Sequence, residues 1–289
     1  MDGVGPPLVT PFAEDGAVDH AALRDLVEWT ERRGVDFLVP CGSNSEAELM
    51  TADERRAVIE TVADAADVPV LAGTGSPGYR ETLDATESAA AAGADAALVV
   101  TPFYYDHEQS ALADYYRRLA DAASVPIYLY SVPAYTDVRL EPPTVAALAE
   151  HPNIAGIKDS SGDIAAFIRT VRRTRDSDFD PMIGSGGVFA QALSAGASGG
   201  VLALANVAPA AAAAVYERHV EDPSAARALN ADLVELNHAV TADHGVPGLK
   251  YAMRSRGAPA GHPRPPHRPP ADAATDRLDE LLAVVAEEP

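Results

Sequence analysis

Lysine is almost missing from this chain: Lys158 and Lys250 are the only two in 289 residues, and the other twenty of its 22 basic residues are arginines. With 43 acidic residues the net charge is −21, far beyond the magnitude of roughly 2 to 8 that suits an ordinary small soluble domain. So acidic a surface repels a phosphate backbone, which excludes nucleic acid as a partner class. Heat adaptation would have enriched lysine together with glutamate. Lysine depletion with a diffuse acidic excess instead suits a cytoplasm of very high salt, where self-repulsion is screened. Full structure and activity without added salt would overturn that reading. Cysteine is nearly absent as well. The lone Cys41 excludes an internal disulfide framework and any multi-cysteine metal site. It closes the apolar run Phe37-Leu38-Val39-Pro40, which suits a small buried hydrophobe better than a nucleophile. No apolar stretch reaches the roughly 18 residues that span a bilayer, and Met1-Asp2-Gly3-Val4 has no basic residue of a secretory signal. The expectation is a cytoplasmic protein with no membrane partner.

What the chain does have is a repeating alternation of short β-branched runs and alanine-rich, helix-length stretches. Eight strands are expected, at Pro7 to Thr10, Phe37 to Pro40, Val68 to Gly73, Ala96 to Thr101, Pro126 to Ser131, Ile154 to Lys158, Pro181 to Gly184 and Gly200 to Leu204. Strands separated by helices imply βαβ units and a parallel sheet, and eight units in about 220 residues match a closed barrel. Asp19, Thr51 and Ser161 are candidate N-caps, and Thr51-Ala52-Asp53-Glu54 has capping-box spacing. The competing architecture, a doubly wound open sheet, normally carries a Gly-rich turn after its first strand, and none follows Thr10-Pro11-Phe12. The predicted fold class is therefore α/β, a (β/α)8 TIM barrel over residues 1–220 with a C-terminal helical extension over residues 221–289. The Pro-rich stretch Gly257 to Pro270 cannot be helical and reads as a structured surface connection. Ala271 to Glu288 has an amphipathic period and is expected to dock on the barrel.

In such a barrel the site is assembled where strands end. Lys158 ends Ile154-Ala155-Gly156-Ile157-Lys158, and alternation puts Ile154, Gly156 and Lys158 on one face, with Gly156 leaving space below the lysine. A primary amine in a dry pocket is easier to keep neutral, and the neutral amine attacks a ketone. Most lysines are solvated surface charges. Here, however, the flanks are those of a buried strand, and arginine, which stays protonated and forms no imine, has taken almost every surface cationic position. Lys250 lies in a predicted helix beyond the barrel and is expected to pack or to sit at the surface. Tyr130, at the end of the preceding strand, is placed to relay protons, although an isolated tyrosine there more often just packs. Tyr104 and Tyr105 follow the fourth strand and are not separable on this basis. The loop Gly42-Ser43-Asn44-Ser45-Glu46 offers hydroxyls, an amide and backbone N–H groups to a carboxylate, as an ordinary turn also would. Gly184-Ser185-Gly186-Gly187 supplies a second such set, with Ser185 and Gly186 as substrate-binding candidates.

These residues resemble the dihydrodipicolinate synthase and N-acetylneuraminate lyase superfamily, which includes archaeal 2-keto-3-deoxygluconate aldolases. The specific part is Tyr130-Ser131-Val132-Pro133 followed by Gly156-Ile157-Lys158-Asp159. The resemblance implies that Lys158 is the Schiff-base lysine and Tyr130 the proton-relay tyrosine. It implies that Ser43 and Asn44 hold a pyruvyl carboxylate, that Tyr104 reaches a neighbouring subunit's relay, and that the protein is a homotetramer. Asn44 departs from the family's second threonine. Tyr135 stands where the synthases carry an arginine for the aldehyde's carboxylate, and losing a charge-assisted clamp is a large change.

The reading that follows is a class I aldolase cleaving a 2-keto-3-deoxy sugar acid to pyruvate and an aldehyde, with Tyr135 among the substrate contacts and with no metal or other cofactor. Its partners are a small keto acid and an aldehyde. The alternatives are a 4-hydroxy-tetrahydrodipicolinate synthase joining pyruvate to aspartate semialdehyde, a keto-deoxy sugar-acid dehydratase, and a non-catalytic sugar-acid-binding protein.

Overall fold

A computed structural model describes residues 1–285. Seven strands, β1 (Gly3–Gly5), β2 (Leu71–Gly73), β3 (Ala96–Val100), β4 (Ile127–Ser131), β5 (Ile154–Asp159), β6 (Asp180–Ile183) and β7 (Gly199–Val201), form one sheet. All neighbours run parallel, in the order β1-β7-β6-β5-β4-β3-β2, with helices between successive strands. The architecture is α/β and barrel-like.

The first two expected strands differ from the observed ones for a reason visible in the sequence. Pro6, Pro7 and Pro69 have no N–H to give a ladder, so regular pairing stops at Gly5 and resumes only at Leu71. The segment 36–40 nevertheless runs between β1 and β2. Asp36 N donates to Val4 O and Val39 N to Pro6 O on one side, at 2.9 and 3.1 Å. On the other, Leu38 N donates to Pro69 O and Gly73 N to Pro40 O, both at 2.9 Å. Phe37, Val39, Leu71, Leu98, Tyr128, Tyr130, Met182 and Val201 pack together inside the ring. A larger apolar layer lies between strands and helices.

Helix starts follow the caps. Asp19 accepts from Ala21 N and Ala22 N, and Thr51 forms the expected capping box with Glu54. The third expected cap is displaced: Asp163, not Ser161, accepts from Ala166 N, because Gly162 turns the chain through φ +73° first. Beyond β7 come the helices Pro209–Glu221, Pro223–His238, Gly245–Ser255 and Asp272–Val284. Residues 257–270 are non-helical, as expected, but only partly at the surface: Ala258 and Ala260 are buried in the core, and the segment bridges to the barrel through the Phe12–His262 pair. The last helix docks through buried Leu278 and Leu281, and the remainder of the span expected to be amphipathic lies outside the described residues.

Candidate active site

Parallel register sets Lys158 on β5 directly beside Tyr130 on β4 and Met182 on β6. Lys158 is only 3% exposed, and its Nζ stands 4.2 Å from the centre of the Tyr130 ring. Among the described residues no carboxylate or other hydrogen-bonding partner holds this nitrogen. The space expected beneath it is filled from the neighbouring strand. A Cβ on Gly156 would lie 2.5 Å from Tyr128 Cε1, so the missing side chain admits that ring rather than leaving a void. Burial, reinforced by the Asp180 carboxylate, pushes the Tyr128 phenol up, and it donates to Asp180 at 2.5 Å. The lysine thus stands on a rigid floor.

Lys158 opens on a cavity of about 400 Å³ that also receives Asn44, Tyr130, Tyr135, Ser185 and Gly186. Six of the eight residues selected from sequence therefore meet there. Ser43 and Tyr104 do not. Ser43 lines a second, adjoining cavity of about 370 Å³, its hydroxyl 3.4 Å from the Tyr130 phenol oxygen. Ser43 and Asn44, expected to grip one carboxylate together, are consecutive residues of one 3-10 turn and line two adjoining cavities that share Tyr130 and Tyr135 as walls. Tyr104 lies in neither cavity: it is 84% exposed, held at φ +81°, and stacks edge-on against Tyr105 with ring centres 5.0 Å apart.

The turn carrying Ser43 and Asn44 is pinned at both ends. Ser45 donates to Leu8 O and accepts from Gly42 N. Glu46, fully enclosed and left-handed at φ +57°, accepts from Lys250 Nζ at 2.5 Å and from Arg264 N at 2.9 Å, with His267 Nδ1 at 2.8 Å. Lys250 is no surface residue. It is wholly buried, and it also donates to Thr10 O and His262 O at 2.7 and 2.8 Å. Burial pulls its ammonium down to about 8, against the opposing pull of Glu46. Arg264 extends the cluster to Gly16 O, Leu49 O and Glu54, and its hydrogen bonds hold the Glu54 carboxyl down at about 2. Cys41 is buried, as expected, and burial lifts its thiol to about 12, so it supplies no thiolate nucleophile.

Sequence reasoning missed Asn237 and Thr241, which reach the 400 Å³ cavity from the C-terminal helices, and Ser160, just past Lys158. Among the described residues lining that cavity, Lys158 is the one cation.

The dihydrodipicolinate synthetase family model matches residues 1–285. The chain belongs to that family. It is 39% identical to the 4-hydroxy-tetrahydrodipicolinate synthase of Haloarcula marismortui over 99% of this chain and 94% of that one. It is 38% identical to an uncharacterized DapA-like lyase of Halobacterium salinarum over 98% and 93%. A crystal structure of chloride-inhibited dihydrodipicolinate synthase from Acinetobacter baumannii, complexed with pyruvate, superposes with a TM-score of 0.93 at 31% identity, covering 98% of both chains. The chain is accordingly a pyruvate-dependent carbon–carbon lyase of the Schiff-base type.

These likenesses overturn the expectation of a 2-keto-3-deoxy sugar-acid aldolase. That expectation rested on one position, Tyr135, whereas full-length relatives at 36–39% identity are named as the synthase.

Proposed function

We propose that the protein is a 4-hydroxy-tetrahydrodipicolinate synthase in which Lys158 carries pyruvate as a Schiff base. The observation that carries this reading is a buried amine with no ion partner, held against the Tyr130 phenol at the wall of a substrate-sized cavity. The neutral amine of Lys158 attacks the C2 ketone of pyruvate, and the carbinolamine loses water to give the protonated imine. Both steps move protons on and off oxygen, which the Tyr130 hydroxyl does, with the Ser43 hydroxyl as the next link. The imine draws electrons from C3, which loses a proton and becomes an enamine. That carbon adds to the aldehyde of aspartate semialdehyde, and the new alkoxide takes a proton. The amino group of the former aldehyde then attacks C2, closing the ring and expelling Lys158. Asn44 hydrogen-bonds to the pyruvyl carboxylate in the Lys158 cavity, and Ser43, beside Tyr130 in the adjoining cavity, supports both the carboxylate and the relay. Ser185 and Gly186 supply backbone donors.

The finer parts of the reading go with it. Residues 1–220 form a (β/α)8 barrel in which segment 36–40 completes the ring, and the described residues from 221 onward form a helical domain. Tyr104 completes the relay of a second subunit in a tetramer, which accounts for an exposed aromatic side chain on a strained backbone. The acidic, lysine-poor composition suits a salt-rich cytoplasm. The deciding experiment reduces the protein with borohydride in the presence of pyruvate at molar salt and maps the adduct, then offers aspartate semialdehyde and glyceraldehyde in coupled assays. The expected outcome is a stable adduct on Lys158 and turnover with aspartate semialdehyde. An unmodified Lys158 sinks the proposal.

A further inference from the structure

Among the described residues, none lining the Lys158 cavity is a second cation, yet the aldehyde taken to be its second substrate carries both a carboxylate and an ammonium group. What recognises that end of the molecule is therefore a question of hydrogen bonds. The wall contributed by the C-terminal helices contains one group whose hydrogen-bonding capacity is unused. Two asparagines lie seven residues, about two helical turns, apart on helix Pro223–His238 and so share a face. Asn230 is satisfied at both ends of its amide: it accepts from Ala190 N at 2.9 Å and donates to Gly186 O at 2.8 Å, fixing the Gly186 turn. Asn237 faces the same turn. Its Oδ1 is shielded from solvent and has no hydrogen-bond partner. A Cβ on Gly186 would stand 2.5 Å from that oxygen, so the absent side chain makes room for it. A buried acceptor left empty is costly, and native structures keep few of them without a purpose.

A second observation points to the same place. Immediately after Asn237 the helix widens into a π-helical turn, Ala239–Asp243, closed by His244 N donating to Ala239 O at 3.0 Å. Such widened turns often occur at functional sites. This one brings Asn237, Thr241 and Ala242 together onto the cavity wall.

We propose that Asn237 is a specificity-determining residue that binds the aldehyde substrate: rotation about its Cβ–Cγ bond swings the side-chain carbonyl from its unpartnered place against Gly186 into the cavity, where it accepts a hydrogen bond from the substrate's ammonium group. This rests on the synthase reading above and adds the residue that distinguishes an amino aldehyde from a plain one. It lines the cavity from the Pro223–His238 helix rather than from the strands that carry Lys158 and Tyr130, and so takes no part in imine formation with pyruvate. An acceptor built to meet a charged donor rejects the analogue that lacks one, since the buried oxygen is then left unpaired.

The test compares aspartate semialdehyde with succinate semialdehyde, the same aldehyde without its amino group, in the parent enzyme and in Asn237→Leu, Asn237→Ser and Asn237→Asp. The parent is expected to prefer the amino aldehyde by at least about tenfold in kcat/KM. Asn237→Leu and Asn237→Ser should remove most of that preference by raising KM for aspartate semialdehyde. Pyruvate KM and borohydride trapping on Lys158 should stay unchanged in every variant, which also shows that each has folded. Asn237→Asp, which keeps an acceptor, should retain the preference. A preference that survives in Asn237→Leu overturns the inference, as does Asn237→Asp behaving like Asn237→Leu. A parent that pyruvate does not label refutes the synthase reading itself, and a parent that pyruvate labels but that discriminates poorly refutes only the role of Asn237.

Discussion

The two lysines of this chain are both buried, and their surroundings differ in one respect that decides what each can do. Lys250 spends its three protons on Glu46, Thr10 O and His262 O, with the Phe12 ring 4.5 Å away. Lys158 has an aromatic ring for company and a cavity in front of it. Burial alone does not make an amine reactive. An amine whose hydrogens are all committed to fixed acceptors is a structural cation, whereas one whose only close neighbour is a polarizable ring is free to form a bond to carbon. Arginine has replaced lysine nearly everywhere else. These two sites are places where a compact primary amine differs from a planar guanidinium.

The strongest way to break the comparison is to exchange the cation at one site only. Lys158→Arg should cut turnover by at least about 10³-fold while leaving the circular dichroism spectrum and melting curve close to those of the parent. Measurable turnover that still traps pyruvate elsewhere in the chain would show that the contrast was misdrawn. Lys250→Met should do the reverse. It orphans the enclosed Glu46 carboxylate and is expected to lower stability by about 3–5 kcal/mol in denaturant titrations, whereas pyruvate should still label Lys158 wherever the variant remains folded. Adding Glu46→Gln should recover part of that loss, because the stranded charge goes with it. The smallest effect concerns the rim of the Lys250 cluster. Arg264 holds the Glu54 carboxyl at about 2, below its usual 4.5. Between those values the unfolded chain binds the proton and the folded one does not, so the stabilisation is complete above about 4.5 and fades as pH falls towards 2. The pair is partly exposed, so molar salt weakens it. Arg264→Met should flatten this part of the acid-denaturation curve by lowering the neutral plateau modestly, while stability near pH 2 stays little changed.

How much of this was legible beforehand depends on how local each signal was. Lys158 and Tyr130 were readable because strand alternation is a local rule and adjacent parallel strands align the ends of their runs. The segment 36–40 was readable as a strand, but the prolines at 6, 7 and 69 take the regular ladder away from its neighbours. Gly156 was correctly seen to make room. What fills the room, Tyr128, comes from the neighbouring strand, and only register shows that. Lys250 looked unremarkable because its partners lie at positions 10, 46 and 262. Asn237 gave no signal at all. It lies 79 residues after Lys158, on a helix whose periodicity marks only its packing face, and no motif links the two. The substrate assignment went astray because a single side chain, Tyr135, was set against a likeness to the synthases that runs the length of the chain.

The Glu46 junction also has a bearing on biogenesis. The turn that carries Ser43 and Asn44 emerges early from the ribosome, whereas three of the groups that fix it, on Lys250, Arg264 and His267, are synthesised more than two hundred residues later. A nascent chain can therefore assemble most of its strands and present the reactive amine long before the keto-acid pocket has its final shape. Catalytic competence therefore waits until a later segment folds back to lock an earlier one.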